Sequence, residues 1–188
     1  MLRMVFRIFL VAVTLATLAG SCWAWSGKVV GIADGDTITV LRASREQVKI
    51  RLYGIDAPES DQPFGQASRK NLSALVFGEK VGVLVMSVDR YGRTVARINV
   101  KGADVNAAQL RDGYAWLYRS YCKTSICEEW AGLETMARSD RKGLWADEDP
   151  VPPWDWRKAG KKKSPSWIDD LIALDKLARR ILRLISSW

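Results

Sequence analysis

Five short segments rich in β-branched residues, each closed off by glycine or aspartate, constrain this chain more than any other feature. They run over residues 26–33, 36–42, 47–54, 80–88 and 93–100, with the turn chemistry that bounds strands. Between the third and fourth lies a stretch of helical period, residues 64–77. Its Ala67, Leu72, Leu75 and Val76 are spaced for one face, and Gly78 supplies the stop. Two further helices fit 104–112, ended by Gly113, and 126–141, ended near Gly143. This order predicts an α+β fold, mainly β: a five-stranded barrel with about three helices.

The ends of those strands carry charge of a particular kind. Asp34-Gly35-Asp36-Thr37, Arg51 to Glu59, and Asp89-Arg90-Tyr91-Gly92-Arg93 bring carboxylates and arginines to turns. Each segment alone is an ordinary hairpin turn or a solvated strand end; three in order make coincidence a poor account. Cleaving a phosphodiester requires a cation, a base for water, and positive donors aimed at the phosphoryl oxygens. Asp36 and Asp56 offer hard oxygen ligands of the kind calcium and magnesium prefer. Glu59 follows Asp56 by three residues across the restricted Pro58 and is a candidate base. Arg51 and Arg93 can grip phosphate with planar forks that stay charged at any working pH. Alternation of Val48, Ile50 and Leu52 with Lys49, Arg51 and Tyr53 turns Arg51 away from the apolar face, toward solvent or a cleft.

The runs Val29 to Val40, Ile50 to Glu59 and Asp89 to Arg93, with Asp104-Val105-Asn106, Gly113-Tyr114-Ala115 and Gly143-Leu144-Trp145, closely resemble the thermonuclease family of staphylococcal-nuclease-like enzymes. The resemblance covers roughly residues 26–147 and implies an OB-type barrel that hydrolyses DNA and RNA with calcium, leaving 3'-phosphate and 5'-hydroxyl ends. It further implies that Asp36, Asp56 and the backbone carbonyl of Ala57 hold calcium, Ala57 standing where the founding pattern has threonine. Glu59 matches the general base, and Arg51 and Arg93 match the arginines that stabilise the transition state. Tyr121 matches one tyrosine of the nucleotide pocket, while Arg119 stands where its tyrosine partner is expected; Tyr91 is a second candidate for that pocket. The competing reading is a nucleic-acid-binding or protein-interaction OB module without catalysis. Such degenerate relatives lack one or more of the five charged positions, and all five are present here.

Composition agrees without deciding. A formal charge of +8 in 188 residues favours polyanions. The absence of histidine excludes imidazole zinc sites, histidine-dependent nucleases and serine-histidine triads. Residues 1–24 read as a signal peptide or N-terminal anchor, with Arg3 and Arg7 before an apolar run from Ile8 to Leu18. Cleavage after Ala24, lipidation of Cys22 and retention as an anchor are the three readings; each implies export, the first to a periplasmic or secreted location and the others to a lipoprotein or membrane-anchored form. In an oxidising compartment Cys122 and Cys127 are expected to form a disulfide across a loop of Lys123-Thr124-Ser125-Ile126, since five helical residues span about 7.5 Å. Residues 25–147 form the expected domain and 148–166 a Pro/Lys-rich linker. Residues 167–188 are expected to form an amphipathic helix that packs on its own domain or a second copy, or lies on a membrane surface.

Overall fold

The structure, a computed structural model, describes residues 25–161. The expected signal segment and the 167–188 helix lie outside them. Five strands appear where the alternation set them: β1 Trp25–Ile32, β2 Thr37–Leu41, β3 Gln47–Leu52, then β5 Lys80–Val88 and β6 Thr94–Val100. Antiparallel neighbours run β3-β2-β1-β5-β6, and a parallel pairing of β3 with β6 closes the sheet into a barrel. Closure removes both long edges and encloses the apolar faces. Val29, Ile38, Val40, Ile50, Leu52, Val81, Val83, Ala96 and Ile98 are all buried there.

Three very short strands escaped the sequence pattern. β4 (Ile55–Asp56) pairs with β8 (Trp116–Leu117), and β7 (Ala103–Asp104) turns back to pair antiparallel with the end of β6. The expected third strand ends two residues early because Gly54 takes a left-handed φ of 72° and turns the chain into β4. Any side chain there would meet the Cys122 sulfur and the Trp130 ring, so glycine is required twice over. The same turn carries Tyr53 inward rather than onto the polar face. It is buried, and its hydroxyl accepts a hydrogen bond from the Lys123 amide.

Helix α1 (Gly65–Val76) caps one end of the barrel with Ser68, Leu72 and Val76 buried. The expected Ala67 is only half-buried, since the i, i+4, i+8 row beginning at Ser68 faces the core. Helix α2 (Val105–Arg111) starts at Asp104, whose carboxylate accepts from the Ala107 amide, and helix α3 (Ile126–Ser139) buries Trp130. The Cys122–Cys127 disulfide forms as expected, with Cα atoms 5.8 Å apart, although Ile126 already belongs to α3 rather than to the loop. A 3₁₀ turn follows at Gly143–Ala146.

The chain divides into two compact units at Pro150. Within the described part of the second, helix α4 (Pro153–Lys161) occupies the segment expected as linker. Proline is compatible with a first helical turn, where its missing N–H has no partner to lose, and Asp155 suits the positive helix start.

Candidate active site

Strand register assembles the site at one mouth of the barrel. Thr37 pairs with Arg51 across β2 and β3, so Asp36 sits at the strand entrance beside Arg51. Arg51 in turn pairs with Val95 across the parallel closure, which brings the residue before β6, Arg93, to the neighbouring strand. Asp56 lies on β4, immediately beyond the Gly54 turn.

Arg51 is clamped between the two aspartates. Its Nη1 lies 2.6 Å from Asp36 Oδ1 and its Nη2 2.5 Å from Asp56 Oδ1, with both carboxylates buried. Asp36 Oδ1 also accepts from the Thr37 hydroxyl, and Oδ2 from the Ala57 amide at 2.8 Å. Burial nevertheless dominates: it pushes Asp36 up to about 6, against the lowering effect of Arg51 and with further repulsion from Asp34. Burial also opposes the Arg51 charge, but Asp36 and Asp56 together outweigh it and raise that group.

The turn that presents Asp36 is built by distant residues. Gln109 on α2 donates from Nε2 to the Gly35 carbonyl at 2.6 Å, and a side chain on Gly35 would collide with Ser68 of α1. Neighbouring Asn106 is fully buried, accepting from the Ile98 amide and donating to the Tyr53 carbonyl. On the opposite flank, buried Glu134 of α3 accepts from the Leu117 amide and so holds β8, the strand that pairs with Asp56. Asn106 stood in a recognised motif without an assigned role. Gln109 and Glu134 carried no signal beyond their helical segments, because a polar residue becomes structural only through what it meets.

Glu59 occupies a loop pinned on both sides. The Gln62 amide donates to the Glu59 carbonyl, Gln62 Oε1 accepts from the Glu59 amide, and Gly65 packs against the same carbonyl so closely that no side chain fits. Glu59 itself is half-buried. Arg93 belongs to the β5–β6 turn, where Asp89 organises everything. The Asp89 carboxylate accepts from the Tyr91 and Arg93 amides and from Arg93 Nε at 2.6 Å. Slight burial raises the Asp89 acid, but those hydrogen bonds prevail and hold it below the ordinary aspartate range. Tyr91 is exposed, with the Arg90 and Arg93 guanidinium groups over its ring.

Tyr121 is likewise exposed, and its aromatic neighbour is Tyr118, with ring centroids 4.6 Å apart. The loop thereby supplies a tyrosine pair although Arg119 stands at the expected partner position. Among the described residues no ring contact joins Tyr91 to Tyr121.

Among the described residues no group of three or more His, Cys, Asp or Glu side chains forms a metal cage. Two buried aspartates converging on one guanidinium suit instead a hard divalent ion that takes few protein oxygens and completes its shell with water and substrate phosphate. The donor set therefore fits such an ion, with Arg51 balancing the charge until it binds.

The profile of the staphylococcal nuclease homologue family matches residues 49–147, which include Arg51, Asp56, Glu59 and Arg93. The chain belongs to this family. Its barrel and helices are those of a staphylococcal-nuclease-like enzyme, and the protein is a nuclease. It is 42% identical over 149 residues to a micrococcal nuclease of Shigella flexneri, covering 74% of this chain and 84% of that one. A relative named as an uncharacterized endonuclease in Escherichia coli O157:H7 is 43% identical over 132 residues, 70% of this chain and 84% of the relative. Protein ParB of Escherichia coli is 38% identical over 175 residues, covering 87% and 98%. Nucleases of this family are generally metal-dependent.

Proposed function

We propose that the protein is an exported, calcium-dependent endonuclease that hydrolyses DNA and RNA to 3'-phosphate and 5'-hydroxyl ends. The observation that carries this reading is Arg51 held between the buried carboxylates of Asp36 and Asp56. Calcium would be held by Asp36, Asp56 and the Ala57 carbonyl, and when bound it supplies charge neutralisation and polarisation of the phosphate. Glu59 takes a proton from water, whose oxygen forms the new bond to phosphorus. Arg51 and Arg93 donate to the phosphoryl oxygens as negative charge accumulates. The P–O5' bond breaks, and the departing O5' gains a proton to become the 5'-hydroxyl. Tyr91 and Tyr121, the latter against half-buried Tyr118, offer exposed aromatic faces suited to nucleotide bases.

Export is supported by the Cys122–Cys127 disulfide, which belongs to an oxidising compartment. Association with a membrane surface or a second copy through residues 167–188 rests on the amphipathic pattern of that segment alone. Degradation of single-stranded DNA by residues 25–188, with calcium, with magnesium and with chelator, tests the activity. Cleavage that needs calcium and falls by about 10²-fold or more in Glu59→Gln is expected. Full activity in chelator would overturn the metal assignment, and full activity of Glu59→Gln the base.

A further inference from the structure

Away from the charged mouth, an open groove of about 450 Å³ runs along the outer face of α1. Ile32, Gln66, Arg69, Lys70, Ser73 and Phe77 line it. The last five follow a helical i, i+3, i+4, i+7, i+11 row, so they share one face. Phe77 is 59% exposed, and Arg69 and Lys70 are exposed cations without an ion pair to any described residue. Exposed aromatic surface beside exposed positive charge matches one class of ligand well, a flexible polyanion with flat apolar faces.

The groove borders the two chain segments that lead to Asp36 and from Glu59. Ile32 stands two residues before Asp34, and its carbonyl accepts from Arg69 Nε at 3.3 Å. Gln66 donates to the carbonyl of Ser60, the residue after Glu59. From Gln66 to Phe77 the face extends about 16 Å at the helical rise, the length of a few nucleotides. We propose that this groove binds the single-stranded nucleic acid flanking the scissile phosphate. Arg69 and Lys70 take backbone phosphates, and Phe77 stacks a base. The inference deepens the nuclease reading and rests on it for the direction in which the strand leaves the site.

The test reads binding rather than cleavage. Fluorescence anisotropy of labelled oligothymidylates of about 3 and about 12 nucleotides is measured with Glu59→Gln protein, alone and carrying Arg69→Gln, Lys70→Gln and Phe77→Ala together. The longer probe is expected to bind about tenfold or more tighter than the short one, and the triple substitution to remove most of that gain. Lys70→Gln alone, at an exposed position that tolerates change, is expected to lower the salt slope of long-probe binding by about one. A length gain that survives the substitutions, or no gain with length at all, overturns the proposal and leaves the groove to a protein partner. Wild-type protein that cleaves nothing yet keeps a groove-dependent length gain would overturn the nuclease reading and preserve the subsite.

Discussion

Two aspartate–arginine pairs sit at this mouth, and they are built on opposite principles. Asp36–Arg51 lies within the barrel wall, where burial drives the acid upward and the arginine exists partly to make two buried carboxylates tolerable. Asp89–Arg93 lies in a surface turn, where desolvation raises the acid but backbone amides and the guanidinium together outweigh it and hold the acid down. The same two residue types thus serve as a structural clamp in one place and as a local turn device in the other. Arg51 and Arg93 are expected to act alike in turnover while differing in everything else.

The kinetic likeness gives the largest effect. Arg51→Ala and Arg93→Ala should each lower kcat/KM on single-stranded DNA by about 10²–10³-fold, the usual cost of losing a donor to a developing oxyanion. A loss at only one of them would break the pairing of roles. Stability separates them next. Arg51→Ala strands two buried carboxylates and should cost about 3 kcal/mol in urea unfolding of metal-free protein, whereas Arg93→Ala should cost about 1 kcal/mol or less. Adding calcium should recover part of the Arg51→Ala deficit and none of the Arg93→Ala one. Equal deficits would mean that the clamp is no more structural than the turn.

The disulfide offers a smaller effect on the loop next to the Tyr118–Tyr121 pair. Replacing both Cys122 and Cys127 by serine should cost about 2 kcal/mol by the chain-entropy account of so short a loop. Smallest is the pH signature, which has opposite sign in the two pairs. Asp89 has a lowered acid, so its contribution is complete above the unfolded value of about 4 and is lost as pH falls through the folded one. Wild type should therefore exceed Asp89→Asn in stability at neutral pH, with the gap closing in acid. Asp36 has a raised acid, so metal-free protein loses its contribution as pH rises from about 4 through about 6. Carboxyl-carbon NMR of metal-free protein should find Asp36 titrating well above Asp89, and the reverse order would refute the contrast.

The barrel was legible because its cause is local. Alternation in Val48 to Leu52 and glycine turns are written in neighbouring residues, and they fixed the strands to within a residue or two. Asp36, Arg51 and Asp56 were legible for a related reason, since each stands at a strand end that closure must bring to one mouth. What stayed hidden depends on distant partners. Gln109 reaches Gly35 across 74 positions, and Glu134 reaches Leu117 across 17, so neither residue's own neighbourhood announces its work. Tyr118 was passed over because the pair was sought two residues before Tyr121 rather than three. Helix α4 was masked by prolines that read as breakers but sit at and before a helix start.

The hydrogen bond from Gln109 to the Gly35 carbonyl bears on timing as well as shape. A nascent chain that has emerged only through β6 already contains every candidate catalytic and metal-binding residue, yet the turn carrying Asp36 still lacks the Gln109 bond to its Gly35 carbonyl. That bond arrives only with α2, and the flank behind Asp56 is secured later still, by Glu134. The charged residues of the site are thus made early in the chain, and the polar braces behind them late, in the order in which the chain is translated.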